Sequence, residues 1–272
     1  MQSDWIFVIL KEHSIYGKNH CFGKSKRWRG ENNHKHQLSS IFGIVREKGS
    51  GRRRRPASQL FVGLGSRCGE ATTTIYECLV DDIDPQKAVI KTTFDNLSLI
   101  PSHINLVGAE IEMIEIENRE KRLKNVLNIL RPDYDFILID CAPSLGLIVV
   151  NCLTAADSVI IPVQCEYFAL EGIGKLLNTI KIIKSKLNPS LNIEGFLLTM
   201  YDSRLRYANQ VAGEVRSHFE ALVFDTMITR NVKLSEATSY GQPIMTYDKE
   251  SKGSQDYMKL AKELIEKTDK RE

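Results

Sequence analysis

The chain has 272 residues, of which 42% are hydrophobic and 26% are charged, and its formal net charge is +3. This length allows one good-sized core, with or without an appendage. No apolar run approaches the roughly 20 residues of a membrane helix, and "WIFVIL" at 5–10 is short and followed by charges, so neither a membrane span nor a secretion signal is expected. The six cysteines form no CxxC pair, which argues against a disulfide scaffold or a zinc site and for structural thiols in a reducing cytosol.

The charge is unevenly distributed along the chain. Residues 1–65 carry 13 Lys and Arg against 4 Asp and Glu, whereas the remainder carries 24 against 30, so a basic segment precedes an acidic one. The stretch "GRRRRPASQ" at 51–59 concentrates this positive charge. Because clustered cations recognise phosphate, such an arm is typical of nucleic-acid binding. The alternative is a disordered basic tail, because residues 1–62 follow neither the strand period nor the helix period.

From about residue 70 onward, the sequence is that of a folded domain. Continuous apolar runs at 136–140 ("FILID"), 158–163 ("SVIIPV") and 193–201 ("IEGFLLTMY") predict strands that are buried on both faces. Helices are predicted between and after these strands, at 119–130, 169–187, 208–219 and 254–267. The alternation predicts a doubly wound α/β fold, with a mostly parallel sheet and helices on both faces. Ligands of such folds bind beyond the carboxyl ends of the strands.

Three stretches of this domain resemble the ParA/Soj family of partition ATPases. Residues 133–180 contain "DCAPSLG", which is similar to the D-x-x-P-S-L-G turn that follows a strand in the family. Residues 228–265 contain "TRNVKLSEATSYGQPI", where the family shows PRN-V-x-L-SEAPS-x-G-x-PI, and residues 75–113 are also similar. The resemblance extends over residues 63–267 and implies an α/β fold of the P-loop NTPase type.

Two motifs that the resemblance requires are not found. The family's first strand leads into a P-loop of the "KGGxGKTT" kind, whose amides and lysines hold the ATP phosphates and whose Thr hydroxyl holds magnesium, and this sequence contains no such string. The family's DxDPQ strand end, whose aspartate serves the magnesium and the attacking water, is also absent where it is expected. We therefore expect the first strand and the P-loop to be missing or disordered, ATP to bind poorly or not at all, and the unpaired sheet to make the chain unstable or prone to aggregation.

The genetic code offers an explanation for the missing motifs. When the possible codons are read one base out of step, Trp28 must become Gly, and Glu31 becomes Lys or Arg. With allowed codons, residues 16–34 decode as "MGKIIALANQKGGVGKTTT" and residues 47–59 as "KKVLVVDADPQAN". These are the family's start, P-loop and second acidic motif, in the correct order and at the correct spacing.

We interpret residues 16 to about 62 as a frame-shifted translation of a ParA-like N-terminus, with residues 1–15 as translated upstream sequence. The chain then divides into an aberrant, out-of-frame, disordered basic segment, 1–62, and an ATPase domain without its P-loop, 63–272. On this interpretation the four arginines at 52–55 are a translation artefact and give no support to DNA binding.

The resemblance implies a nucleotide site at the carboxyl edge of the sheet. Asp140 ends the strand "FILID", where the family has an aspartate that orders the magnesium shell through water. A strand-end Asp that caps the next turn is the structural alternative. Pro143, Ser144 and Gly146 are expected to shape the adjoining switch turn.

The resemblance also places the adenine base near the family's PRN segment, which reads Thr229-Arg230-Asn231 here. Asn231 matches the family and is the expected adenine contact. Thr229, also assigned to the nucleotide site, replaces a stiff proline. Thr238 and Tyr240 depart from the family's SEAPSHG pattern, so the loop is expected to differ in shape.

The family binds DNA without sequence preference, through scattered basic residues on the surface of its dimer. Arg204 in "YDSRLRY" and Lys233 in "NVKLSE" match those positions, and Arg206 and Arg230 are nearby candidates. Phosphate contacts of this kind predict a steep dependence on salt. The alternative for each residue taken alone is a solvated charged face.

The resemblance implies a partitioning protein of a bacterial chromosome or plasmid, located in the cytoplasm at the nucleoid. In this family, magnesium and ATP support a homodimer that binds DNA, and a ParB-like partner stimulates hydrolysis. Whether this chain hydrolyses ATP stays open, because the P-loop lysines and the DxDPQ strand end are absent where the family has them.

Two alternatives belong to other functional classes. One is a non-hydrolysing DNA-binding or regulatory protein that kept the dimer and DNA surfaces. The other is a MinD-like ATPase that cycles on a membrane, which the mixed charge of the helix predicted at 254–267 disfavours. We expect no membrane partner.

The frame-shift hypothesis makes a prediction about the coding DNA. The plus-one frame from the Tyr16 codon should encode a GKTT run and then a DxDPQ strand end, with one insertion or deletion near codon 60. Resequencing the locus measures this directly. A plus-one frame without a GKTT run would contradict the hypothesis and leave a genuine family variant with a basic replacement arm.

Overall fold

A computed structural model describes most of the chain from residue 73 onward and two segments before it. The described residues are 6–11, 59–67, 73–92, 94, 96–102, 105–141, 146–166, 169–240 and 242–269.

The described residues contain one seven-stranded sheet with the strand order β3–β4–β2–β5–β1–β6–β7. The strands are β1 (Ile6–Lys11), β2 (Gln59–Arg67), β3 (Ile90–Lys91), β4 (Leu97–Ser102), β5 (Phe136–Cys141), β6 (Ser158–Gln164) and β7 (Asn192–Thr199). β4, β2 and β5 pair in parallel, as do β6 and β7, whereas β1 runs antiparallel to both of its neighbours. Together with the helices on both faces, this confirms the predicted doubly wound, mostly parallel α/β fold.

Nine α-helices lie within the described residues. They are α1 (Ile75–Val80), α2 (Leu106–Glu112), α3 (Arg122–Leu130), α4 (Leu147–Ala155), α5 (Ala169–Lys186), α6 (Arg206–Phe219), α7 (Val232–Ser239), α8 (Ile244–Tyr247) and α9 (Lys252–Asp269). The helices predicted around 119–130, 169–187, 208–219 and 254–267 are all present with small shifts at their ends. No helix within the described ranges is both long enough and apolar enough to span a bilayer.

Side chains on the two faces of the sheet form two separate cores. In β5, Ile137 and Ile139 belong to one core, and Phe136 and Leu138 belong to the other. The alternation follows from the two-residue repeat of a strand, and it requires an apolar residue at every position because both faces are covered. The first core packs against α1 to α6, and the second packs against α7, α8 and α9. The continuous run "FILID" is therefore explained by burial on both sides.

Three cysteines, namely Cys78, Cys152 and Cys165, are buried and form no disulfide bond with one another. Burial raises the pKa of the Cys78 and Cys165 thiols to about 11, so both remain neutral at physiological pH. They behave as small core side chains, as predicted for structural thiols.

The strand β1 occupies the position between β5 and β6. Val8 lies opposite Ile139 of β5 and Val159 of β6. The backbone N–H and C=O groups of two buried neighbouring strands need partners, and an apolar segment supplies them. On the frame-shift hypothesis this strand is not the family's first strand, because its residues precede the decoded P-loop. Residues 12–58, between β1 and β2, lie outside the described residues, so the disorder expected for 1–62 stays a prediction.

The direction of β1 determines which edge of the sheet its following turn reaches. Ile6 pairs with Cys141 at the carboxyl end of β5, whereas Lys11 pairs with Phe136 at its amino end. The strand β1 therefore ends at the edge opposite Asp140.

On the frame-shift hypothesis, the sequence returns to the family's reading frame within β2. It pairs with β5 from Gln59 to Gly63, and its register with β4 becomes irregular between Val62 and Arg67. The irregularity thus coincides with the region around residue 62 where the two sequence segments meet.

Candidate functional site

Asp140 lies at the carboxyl end of β5, between β1 and β2. It is fully buried, and it stands opposite Phe7 of one neighbouring strand and Gly63 of the other. β5, β6 and β7 all end at this edge of the sheet, the edge at which ligands of such folds bind. Asp140 lies at a strand end, as predicted, and its role in ordering magnesium stays a prediction.

The helix α4 begins directly after the predicted switch turn. Pro143 and Ser144 lie outside the described residues, whereas Gly146 is the N-cap residue of α4. The backbone N–H of Ile148 donates to Glu110 Oε1 over 3.1 Å, so a carboxylate from α2 caps this helix. A β-carbon at Gly146 would collide with the same carboxylate. A side chain at this position would displace the Glu110 carboxylate from its hydrogen bond with Ile148.

The segment predicted to contact adenine is fixed by bonds within the protein. The backbone N–H and the hydroxyl of Thr229 donate to Asp256 Oδ2 over 3.1 and 2.6 Å. Lys252 Nζ lies 3.0 Å from the other oxygen of Asp256, whose side chain is only 4% exposed. Asn231 Oδ1 accepts the backbone N–H of Lys233 over 2.8 Å, at the start of α7.

Thr229 therefore supplies two donors to a buried carboxylate. A proline, which the family has at this position, supplies neither an N–H nor a hydroxyl. The two hydrogen bonds to Asp256 hold Thr229 in place of the stiff proline. The effect of this replacement could not be predicted from the segment alone.

The four predicted DNA-binding cations lie on two neighbouring segments after β7. Arg204 and Arg206 are on the first segment and Arg230 is on the second, where its backbone N–H donates to the Tyr201 carbonyl over 2.9 Å. Lys233 follows one turn later, in α7. The structure thus brings Arg204 and Arg230 together, although they are far apart in sequence.

Three of these cations form ion pairs within the protein. Asp202 Oδ1 and Oδ2 accept Arg204 Nε and Nη2 over 2.9 and 2.7 Å. The other two pairs join Arg230 to Glu166 at 2.9 Å and Lys233 to Glu236 at 2.8 Å. Hydrogen bonds from the Arg204 side chain and backbone lower the pKa of Asp202 from its ordinary 3.8 to about 2.

The sequence-based prediction missed these three carboxylates. The spacings of Asp202 from Arg204 and of Lys233 from Glu236 were visible signals, because residues two or three apart can meet in a turn or on a helix. No local signal connects Glu166 with Arg230, because 64 positions separate them.

The described residues do not form a complete site for magnesium and ATP. Among them, no group of three or more His, Cys, Asp or Glu side chains could hold a metal ion. A DxDPQ string does occur at 82–86, but it follows α1, where Asp84 caps a 3₁₀ turn at Pro85–Ala88 and does not end a strand. Asp140 therefore has no second carboxylate from this motif beside it.

The fold and the position of Asp140 define this protein as an α/β protein of the P-loop ATPase class. A profile of the AAA domain family matches residues 56–193. The solved structure of cobyrinic acid a,c-diamide synthase from Mycobacterium smegmatis, with a bound ATP analogue and magnesium, superposes with a TM-score of 0.71 at 30% identity. This similarity covers 88% of the present chain and 91% of that chain.

Similarity to individual relatives defines the family more narrowly. The chain is 49% identical over 209 residues to the sporulation initiation inhibitor protein Soj of Bacillus subtilis, which covers 77% of this chain and 83% of the relative. It is 48% identical over 205 residues to the chromosome partitioning protein ParA of Myxococcus xanthus, with 75% and 72% covered. The chain belongs to the ParA/Soj family of P-loop ATPases, as the sequence predicted.

The contact between Glu110 and α4 predicts a specific pattern of stabilities. Glu110→Ala removes the cap of Ile148 and should lower the free energy of unfolding by about 1–2 kcal/mol. Gly146→Ala should cost a similar amount, because the new β-carbon displaces the carboxylate. The double variant should lose less than the sum of the two, because removal of Glu110 makes room for the β-carbon. Urea denaturation measures all three, and strictly additive losses would contradict the contact.

The ion pair of Asp202 predicts a low titration midpoint. Since the folded pKa lies below the ordinary value, the pair adds stability above about pH 4 that is lost as the pH falls toward 2. Carboxyl NMR of the native protein should show Asp202 titrating near 2. In Arg204→Ala the midpoint should return toward the ordinary Asp range, and the same midpoint in both proteins would show that Arg204 does not hold the carboxylate.

Proposed function

We propose that this chain derives from a partitioning ATPase of a bacterial chromosome or plasmid. The observation that carries the proposal is its 49% and 48% identity to proteins named Soj and ParA, over about three quarters of its length. On this proposal, ATP and magnesium drive a homodimer that binds DNA without sequence preference, and a ParB-like partner stimulates hydrolysis. The protein acts in the cytoplasm at the nucleoid.

Asp140 is assigned to the magnesium shell, with Pro143, Ser144 and Gly146 in the switch turn beside it. Asn231 is assigned to the adenine base. Its Oδ1 caps α7, so the amide group is held at a fixed position on the carboxyl edge. Thr229 holds this segment in place through its two hydrogen bonds to Asp256.

The proposal includes impaired nucleotide binding by the chain as it stands. ATP phosphates need backbone amides and lysines close to the magnesium, and the sequence has no P-loop string to provide them. The strand beside Asp140 runs in the opposite direction, so its last residue, Lys11, lies at the other edge of the sheet. Residues 1–62 are assigned to the out-of-frame segment, and residues 63–272 to the ATPase domain.

A second candidate function is DNA binding that does not depend on ATP. Hydrogen bonds within the protein hold the segments that carry Arg204, Arg230 and Lys233, whereas the nucleotide site is incomplete. This difference favours the second candidate. DNA affinity that is indifferent to ATP would favour this candidate over the partitioning ATPase.

The impaired nucleotide site is tested by comparing two proteins. In the second protein, residues 16–59 are replaced by the sequence decoded from the plus-one frame. Titration with a fluorescent ATP analogue and magnesium should give saturable binding only for this restored protein, because only it has the amide cradle and the lysines. The restored protein with Asp140→Asn is the control, and it should lose the magnesium dependence. Equal affinity of the original and restored proteins would refute the proposal of impaired binding.

A further inference from the structure

The loop that follows β7 is fastened to the first turn of α6 by one side chain. Asn209 Oδ1 accepts the Tyr201 hydroxyl over 2.7 Å. Asn209 Nδ2 donates to the carbonyl oxygens of Ser203 and Leu205 over 2.8 and 3.0 Å. Three bonds from a single amide thus fix both ends and the middle of the loop 201–205.

Within this loop, Asp202 holds the side chain of Arg204. Besides the two bonds to the guanidinium, Asp202 Oδ1 accepts the backbone N–H of Arg204 over 3.0 Å. The Asp202 side chain is 13% exposed, whereas the Arg204 side chain is 86% exposed. A nearly buried carboxylate therefore fixes a guanidinium group that lies almost entirely in solvent.

The geometry of this pair leaves one edge of the guanidinium available. Arginine has five N–H donors in a planar fork, and Asp202 accepts at Nε and at one Nη. The remaining donors point away from the carboxylate, in the arrangement that matches phosphate oxygens. An ordinary exposed arginine loses rotamer freedom when it binds, and this one is already ordered.

We propose that Asp202 and Asn209 are positioning residues, which present the outer edge of Arg204 to a phosphate of the nucleic-acid backbone. The proposal rests on the proposed DNA binding and deepens it, because it assigns a role to two residues that do not carry positive charge. Asp202 acts through Arg204, and Asn209 acts through the loop that carries both.

Two effects of Asp202 on DNA binding have opposite signs, so their balance can be measured. Its negative charge repels phosphate, and removing it would strengthen binding by simple electrostatics. Its two hydrogen bonds to the Arg204 guanidinium hold that cation in one orientation, and removing the carboxylate would for this reason weaken DNA binding. Arg230 also lies close enough to Asp202 to lower the pKa of its carboxyl group, so two arginines offset the repulsive charge. We therefore expect the ordering effect to dominate.

The experiment measures binding of a fluorescent 30-base-pair duplex of arbitrary sequence at low salt, both to the full chain and to the restored protein with ATP and magnesium, because the proposed ATP-driven homodimer needs the restored nucleotide site. Each variant is made in both proteins. Arg204→Ala, Asp202→Ala and Asn209→Ala should each weaken binding by about 3- to 10-fold. The double variant Asp202→Ala/Arg204→Ala should bind no more weakly than Arg204→Ala, because Asp202 has nothing left to position. Glu214→Gln in α6 removes the same charge and is the control, and its affinity should be unchanged or slightly higher.

Each other outcome overturns the inference in a recognisable way. Binding by Asp202→Ala that is as tight as that of Glu214→Gln would show that the carboxylate only repels DNA. Additive losses in the double variant would assign Asp202 a general structural role. If neither the full chain nor the restored protein with ATP and magnesium binds the duplex, the proposed DNA binding fails together with the inference. If the parent binds and its Asp202→Ala variant binds equally well, the inference alone is wrong. Circular dichroism checks that each variant folds. If Asn209→Ala does not fold, the DNA affinity of Asp202→Ala alone tests the inference.

Discussion

The gap between β5 and β6 is the constraint on which the rest of this structure depends. Both strands are buried and each presents a row of backbone N–H and C=O groups toward the gap, so a strand must fill it. In this chain Ile6–Lys11 fills it in the antiparallel direction. The sheet is thereby completed, and Lys11 at the end of this strand lies at the edge away from Asp140. Because a phosphate-binding loop follows a strand that ends at the Asp140 edge, the proposal of impaired nucleotide binding depends on this direction.

The carboxyl edge keeps its shape by contacts that do not involve a nucleotide. A carboxylate of α2 caps α4, the buried Asp256 holds Thr229, and Asn209 fastens the loop after β7. Each contact joins a turn at this edge to a helix behind it. Because buried or partly buried polar groups are costly to leave unpaired, these contacts restrict the edge to one conformation. The surface that carries the predicted DNA-binding cations is therefore ordered independently of the nucleotide site.

The sequence predicted the fold more completely than the site. Strands buried on both faces produce continuous apolar runs, so "FILID" was found within one residue of the observed β5. Arg204 and Lys233 were predicted to bind DNA because their short motifs resemble those of the family, and this role stays a prediction. The contact of Glu110 with α4 had no signal in the sequence, because it joins segments that are 38 residues apart. The apolar run at 5–10 gave no indication of its place in the sheet, because pairing depends on which strand edges are open.

The sequence by itself determined the family, the position of Asp140 at a strand end and the absence of a P-loop string, and it suggested a coding-frame explanation that stays a prediction. These are properties of residue order, and they need no knowledge of distant contacts. Only the tertiary structure decided which segment fills the central position of the sheet and in which direction it runs. It also decided that Asp202 and Glu166 pair with Arg204 and Arg230. The physical reason is that hydrogen bonds and ion pairs form between the groups that folding brings within about 3 Å of each other, wherever they stand in the chain.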